Sequence, residues 1–498
     1  MNQNLYQAFA DVFSDHLAAP VLHLDDGSVI DYAMLDAMSA RYANLLLALG
    51  AGTGDRVTVQ CDKSVETLWL YLGTIRAGLV YHPLNNAYQE SELAYFLSNA
   101  EPRIVVGDST TLPTLEKLAA AGTTVIGLST LAEQANAASD QFQTVTSAAD
   151  DLAALLYSSG TTGVPKGIML THANLASNAR TLVESWGFNR DDVLLHALPI
   201  FHVHGLFVGI SCVLMSGAAM VWQNGFNAAT VTAALPRCSV MMGVPTYYTR
   251  LLAHDDFNTA CCESMRLFIS GSAPLLPETF ESFEQRTGHR ILERYGMTET
   301  GMNTSNPLEG DRVAGTVGPP LPGVEIRVTD TAHNPLPAGE VGAVQVRGDN
   351  VFNGYWKLPE KTAEDFTDDG FFNTGDQGVI DDNGYLSIIG REKDMVISGG
   401  LNIYPKEIEL LIDQQPGVTE SAVFGVPHAD FGEGVVAAIV ESSPGALDQA
   451  GIIGALKSEI ASFKVPKAVV FLDELPRNTM GKVQKKQLRD TYKDLLSG

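Results

Sequence analysis

Between Tyr157 and Gly167 the chain reads Tyr-Ser-Ser-Gly-Thr-Thr-Gly-Val-Pro-Lys-Gly. The hydroxyls of Ser158, Ser159, Thr161 and Thr162, the glycines Gly160 and Gly163, and Lys166 make a run built for an anion. Glycine lets backbone N–H groups approach a phosphate, and hydroxyls and an ammonium add donors. The plain alternative is a polar hairpin, which rarely carries so many phosphate-type donors. A Walker loop is excluded by spacing, because Pro165 precedes Lys166 and Gly167 follows it. A second run, Arg294-Tyr295-Gly296-Met297-Thr298-Glu299-Thr300, offers hydroxyls and a carboxylate beside a glycine turn. Thr298 suits a phosphate oxygen, and Glu299 suits a hard cation that travels with nucleotide phosphates. Phe372-Asn373-Thr374-Gly375-Asp376 places a carboxylate in a tight turn, where it can accept from two ribose hydroxyls. Ser270-Gly271-Ser272-Ala273-Pro274 is a further polar turn. His202 and His204 form an H-x-H pair that could hold a metal, although no third ligand is evident in the sequence. Each run alone is weak, since Gly-Asp turns are common.

The elements around these runs alternate. Arg56–Gln60 reads as a strand, Asp62 can cap a helix carrying Val65, Leu68, Leu72 and Ile75, and Val80–Leu84 reads as the next strand. Such units build parallel sheets with right-handed crossovers. His172 to Trp186 places Leu175, Ala179, Leu182 and Trp186 on one helical face, with Gly187 as a stop. Turn residues crowd the stretch from about 306 to 390 between short β-rich runs, which predicts a small β-rich subdomain. The last hundred or so residues carry their own strands (421–424, 435–440, 468–472) and a helix over 451–461. The expected fold is α/β, a large N-terminal domain of α/β sheets followed by a small α+β domain.

The 498 residues carry 58 acidic against 32 basic side chains, a net charge of −26. That field repels phosphate backbones and argues against a nucleic-acid partner, so any site for an anionic substrate must be locally basic. Five sparse cysteines form no disulfide framework and point to a reducing, cytoplasmic setting. The beginning of the sequence lacks the pattern of a signal peptide. The apolar stretch 203–222 is broken by Gly205, Gly209, Ser216 and Gly217, and reads as a buried helix, a turn and a strand rather than a membrane span. No protein partner is evident.

Taken in order, the runs ending at Lys166, Glu299 and Asp376 continue through Gly390-Arg391-Glu392-Lys393-Asp394 and Pro476-Arg477-Asn478-Thr479-Met480-Gly481-Lys482. With that set the chain resembles the adenylate-forming acyl-CoA synthetase superfamily nearly end to end. Phe201-His202-Val203-His204-Gly205-Leu206 and Gly243-Val244-Pro245-Thr246-Tyr247-Tyr248 bring it near the malonate-activating members. The resemblance implies an adenylation domain over 1–391, with the β-rich subdomain inside it, and a mobile domain over 392–498. It implies ATP, Mg²⁺ and CoA, and two half-reactions: a carboxylate takes AMP from ATP with release of pyrophosphate, then the CoA thiol displaces AMP. Carried over position by position, Lys482 bridges the carboxylate and ribose in the first step. Thr298 holds phosphates, Glu299 the Mg²⁺, and Asp376 and Arg391 the ribose. Ser158 to Gly163 with Lys166 cradle the phosphates, Ser272, Ala273 and Pro274 line the adenine, and Arg294 to Met297 complete the nucleotide site. His202 is an aromatic gate between acid and CoA. Lys393 stands at the hinge, and Ser398, Gly399 and Gly400 line the pantetheine tunnel. Malonate is the expected acid; methylmalonate, oxalate, a short fatty acid, or a non-catalytic nucleotide-binding role are the alternatives.

A dicarboxylate brings a second charge into the acyl pocket, and burying it unpaired costs several kcal/mol, so a cation must meet it. Arg250, one turn after Tyr247, is the expected partner and Arg266 the second choice, with Ser270, Val203 and Met297 around the acid. Near the C-terminus basic residues outnumber acidic ones, and Lys485 and Lys486 are expected to meet CoA phosphates. The resemblance generates a first test. Lys482→Ala should abolish adenylate formation, a loss of ~3–4 kcal/mol or more of transition-state stabilisation, while sparing thioester formation from supplied acyl-AMP. Measured separately, equal loss in both half-reactions contradicts the two-step assignment of this lysine.

Overall fold

Short apolar and β-branched runs make the strands, and capped amphipathic segments make the helices between them. In the computed structural model the described residues are 2–157, 165–398, 401–428, 431–460, 462–478 and 481–496. They fall into two compact units, Met1–Glu325 with Val346–Phe372, and Ile326–Gln345 with Asn373–Gly498.

In the first unit one sheet runs in the order Thr124–Gly127, Ile104–Gly107, Arg56–Gln60, Val80–Pro83, Leu152–Tyr157, Gly167–Thr171. Its recorded pairs are parallel except the last, where Leu152–Tyr157 turns back on Gly167–Thr171. The expected strand–helix–strand unit is present. Its helix spans Val65–Arg76 and is capped by Ser64, whose hydroxyl accepts from Thr67 N while Thr67 Oγ1 accepts from Ser64 N. The cap is therefore Ser64 and not Asp62; Asp62 instead accepts from Asn86. An eight-stranded sheet runs Gly301–Ser305, Leu292–Met297, Leu267–Ser270, Val240–Gly243, Val193–His196, Ala219–Trp222, Pro20–Leu24, Val29–Asp31. Its six inner strands pair in parallel and each edge strand forms an antiparallel hairpin. Buried Leu195, Met241, Phe268, Tyr248 and Phe283 pack one core against it.

Three local expectations change. The helix after His202 starts as a π-helical segment, His204–Ile210, before the α-helix Ser211–Ser216; such wide turns gather at functional sites. Arg294 to Met297 is strand rather than loop, inside Leu292–Met297. Asp376 is likewise on a strand, Phe372–Ile380, which Gly375 kinks with φ +70. No helix of the described residues is long and apolar enough to cross a membrane. All five cysteines are free.

The β-rich stretch contains a four-stranded sheet in chain order, Val324–Thr329, Gly342–Gly348, Phe372–Ile380 and Leu386–Arg391. The second unit includes the paired strands Phe372–Ile380 and Leu386–Arg391 and a separate sheet centred on Val418–His428 and Gly432–Glu441. Ala468–Leu472 lies parallel to the latter strand. The helix expected over 451–461 is Gln449–Glu459, capped by Asp448.

In this unit Asp413 accepts from Ser421 Oγ at 2.7 Å. Burial raises its pKa from 3.8 to about 6, against the Ser421 bond and Lys406, with Glu409 and Glu420 adding to the rise. The folded state thus holds this proton more tightly than the unfolded chain. Its contribution is full below pH 3.8 and is lost as pH rises through about 6. Asp413→Asn keeps an acceptor for Ser421 and removes the charge. Urea unfolding should show a gain of about 2 kcal/mol at neutral pH, shrinking as the pH falls toward 4. A gain that does not vary with pH contradicts the cause.

Candidate active site

The parallel strands of the eight-stranded sheet end where Gly243, Ser270 and the Leu292–Met297 strand lie side by side. Ligands of α/β sheets bind at such carboxyl ends. Arg294 is 3% exposed, and its Nε and Nη2 have no hydrogen-bond partner. Burial draws its pKa down to about 10, and it remains a cation at neutral pH. No carboxylate among the described residues pairs with it. Its guanidinium lies over Gly271, where a Cβ would stand 2.4 Å from Cζ. Glycine is required there because any side chain would evict the guanidinium. Ser270, fully buried, has an unpartnered Oγ on the same strand end.

Two histidines complete this pocket. His204 Nδ1 lies 3.2 Å from Ser272 Oγ, and the His204 backbone N donates to His202 Nδ1 at 3.3 Å. Burial and then Arg294 lower the pKa of His202 to about 4 and that of His204 well below its ordinary value, so both are neutral. Ser272 has φ +72, a left-handed conformation that a serine tolerates at a cost of ~1 kcal/mol or more. Ala273 and Pro274 follow on the same turn, the latter exposed.

Thr298 and Val203 line one pocket with Phe207, Asn174, Asn178 and Asn350. The asparagines were not anticipated. Asn174 and Asn178 stand one turn apart on the helix His172–Ser185 and Asn350 comes from a distant segment; Asn178 Nδ2 donates to Met302 O, and Asn350 Nδ2 to Thr300 O. Nothing in their local sequence signals that convergence. Glu299 is buried beside them and its carbonyl accepts from Phe352 N. Tyr295 and Met297 are half-buried, and Gly296 is needed because a Cβ would lie 2.2 Å from Gly301 O. Lys166 sits 3.6 Å from Asp365 and 4.2 Å from the Tyr355 ring. Ser158, Ser159, Gly160, Thr161, Thr162 and Gly163 lie outside the described residues.

Arg250 is exposed on the helix Pro245–Leu252; burial pushes the Tyr247 pKa up to about 12, against the nearby Arg250. Arg266 is engaged: Nε and Nη2 donate to Asp192 Oδ1 and Oδ2, each at 2.7 Å. That fork removes it as a candidate for the acid.

In the second unit Arg391 Nε lies 2.7 Å from Asp376 Oδ1, and the two residues face each other in the strand register. Thr374 Oγ1 accepts from Asp376 N and donates to Val344 O. Lys482 belongs to the same cluster. Loss of hydration and then Arg391 lower its pKa, while Asp376 and Asp394 raise it. Lys393 is exposed along much of its length, yet loss of hydration at its ammonium and neighbouring Arg391, Lys482 and Arg489 bring it down to about 8 against Asp394. Ser398 is buried and opposite Gly432; Gly399 and Gly400 are outside the described residues. Lys485 Nζ is 2.5 Å from buried Glu409, and Lys464, Arg477 and Arg489 pair with Glu407, Glu420 and Asp394. The C-terminal basic residues thus largely answer local acids. This corrects the expectation that Lys485 awaits CoA phosphates.

The AMP-binding enzyme family model matches residues 7–356, and that for the AMP-binding enzyme C-terminal domain matches residues 407–482. A malonate–CoA ligase of Arabidopsis thaliana is 34% identical, covering 94% of this chain and 86% of its own length. A sulfoacetate–CoA ligase of Cupriavidus necator is 35% identical and covers 94% of both. The crystal structure of ATP-bound MatB from Rhodopseudomonas palustris superposes with a TM-score of 0.97 at 53% identity over 100% of both chains.

The signs of the Lys482 shifts make a prediction about labelling. Mass spectrometry of Lys482 acetylation against pH should give a midpoint below that of an ordinary lysine. Arg391→Gln should move it up, and Asp376→Asn should move it down. Shifts of the opposite sign contradict the cluster.

Proposed function

Because the chain belongs to the AMP-binding enzyme family, we propose that it is an ATP-dependent ligase joining malonate to CoA through an acyl-adenylate. The observation that carries the choice of acid is Arg294, a buried guanidinium without a carboxylate. The acids named for the Arabidopsis and Cupriavidus relatives, malonate and sulfoacetate, each carry a second anionic group. A guanidinium fork is the natural partner for it. Arg294 takes that deep contact in this reading. Arg250 contributes a second positive charge from the exposed side, since Tyr247 and Tyr248 feel Arg250 and Arg294 respectively. Val203, Met297 and Ser270 surround the central carbon.

In the first half-reaction a malonate carboxylate oxygen attacks the α-phosphorus of ATP. The new O–P bond forms as the bond to pyrophosphate breaks. Both partners are anionic, so the protein's task is alignment and charge neutralisation. Lys482 holds the attacking carboxylate and the ribose, Thr298 and Lys166 the phosphates, and Asp376 with Arg391 the ribose. A Mg²⁺ ion fits buried Glu299 beside the Thr298 hydroxyl, since this metal is often held by one or two carboxylates plus substrate phosphates. When bound, it neutralises phosphate charge. In the second half-reaction the CoA sulfur attacks the acyl carbon and the bond to AMP breaks. In this reading neutral His202 gates the acid from the thiol, and Ser398 and Lys393 keep the tunnel and hinge roles that the family resemblance gives them. The proposed compartment is the cytoplasm, which free cysteines suit.

Pyrophosphate release assayed with malonate, methylmalonate, sulfoacetate, oxalate and butyrate tests the reading. Malonate should lead and butyrate should trail. Arg294→Leu should lower kcat/KM for malonate by a factor of ~100 or more with ATP binding retained, and Arg250→Leu should cost less. Preference for butyrate in the unmodified protein contradicts the assignment, as does an Arg294→Leu variant of near-normal efficiency.

A further inference from the structure

Lys63 is a buried lysine that nothing above employs. It is 8% exposed, its ammonium lies 4.2 Å from the Trp222 ring, and no carboxylate among the described residues lies within ion-pair range. Nζ donates to three acceptors: His196 Nδ1 at 2.7 Å, His196 O at 2.7 Å and Gln223 O at 2.6 Å. Three ammonium protons meet three acceptors, so the group is fully satisfied. Burial drives the Lys63 pKa well below the ordinary lysine value, against Asp25, so an apolar residue beside Trp222 would hold the fold at lower cost than this amine. The lysine therefore does something that a packing residue does not.

What it does follows from the imidazole. Burial keeps His196 neutral and the Gly205 carbonyl can only accept, so His196 Nδ1 is bare and accepts from Lys63. The single ring proton is then on Nε2, which donates to Gly205 O at 2.9 Å. Stacking on Trp222, with centroids 5.2 Å apart and planes 18° apart, fixes the ring. Gly205 is the second residue of the π-helical segment, and a Cβ there would lie 2.1 Å from Pro199 O. Its backbone is thus pressed on one side by Pro199 and held through its carbonyl by His196. Immediately before it stand His202, Val203 and His204; Val203 and Phe207 line the Thr298 pocket, and His204 meets Ser272.

We propose that Lys63 is a positioning residue that sets the His196 tautomer and, through the Gly205 carbonyl, holds the 202–205 loop in the shape that receives the acid. The proposal that the loop serves an acid rests on the ligase reading above; the relay itself does not.

The test uses the full chain. Lys63→Met is unbranched and fits beside Trp222, so its melting temperature should stay near normal or rise. The KM for malonate should rise about tenfold while that for ATP changes less than about twofold. His196→Gln retains an acceptor for Lys63 and a donor for Gly205, and should keep the malonate KM within about threefold, whereas His196→Leu should not. Nitrogen NMR of ring-labelled histidine should show His196 as the pure Nε2–H form, and Lys63→Met should lose that purity. An unmoved malonate KM in Lys63→Met, or a His196 signal the same in both proteins, overturns the proposal. A lower active fraction with unchanged KM also overturns it, since that is what a merely structural lysine would give. Absence of pyrophosphate release with every acid would instead defeat the ligase reading, and the ring signal would still decide the relay.

Discussion

A guanidinium buried without a counter-ion is the constraint around which the first unit is organised. Arg294 is placed on a strand, so its direction is fixed by sheet register and not by a flexible loop. Gly271 gives it room, and Ser270 leaves a hydroxyl unpaired near it. After burial, its charge helps keep His202 and His204 neutral. In a chain of net charge −26 an anionic acid is drawn only where such a cation is concentrated and shielded from water. The unpaired state has an energetic cost, which in the proposed reading an arriving carboxylate relieves. That makes the cost part of the selectivity.

The second unit answers a different need. Asp376 and Arg391 are locked together across a strand pair, and Lys482 shares their field. Loss of hydration, Arg391 and Lys485 weaken the lysine's hold on its proton, and Asp376 and Asp394 strengthen it. Ion pairs elsewhere in the unit, Lys485 with Glu409 and Lys464 with Glu407, absorb most of the remaining basic side chains in local structure.

The chemistry-bearing runs were legible because they are contiguous. A Ser/Thr/Gly stretch ending at Lys166, or Thr298 beside Glu299, announces its donors in a few residues. The strand–helix–strand unit around Val65–Arg76 was equally readable, since periodicity is a local property; its cap was not, because Ser64 and Asp62 are equally good capping types and only the backbone geometry decides. In the sequence Arg294 reads with the nucleotide site, and Arg250 stands out for the acid by its position after Tyr247. Burial separates the two, and burial is a tertiary property. Arg266 has the same side chain, and only its pairing with Asp192 takes it out of consideration. Lys63 lies 133 residues from His196, which stands nine residues before Gly205. No spacing rule connects them, and a lysine two residues before a helix reads from sequence as an ordinary surface cation.

The central claim is that the buried guanidinium receives the second anionic group of the acid. A crystal structure with malonyl-adenylate bound tests it most directly. The account predicts the terminal carboxylate in hydrogen-bonded contact with the guanidinium of Arg294, above Gly271. A terminal carboxylate that points to solvent, or that pairs with Arg250 alone while Arg294 stays unpartnered, would contradict it.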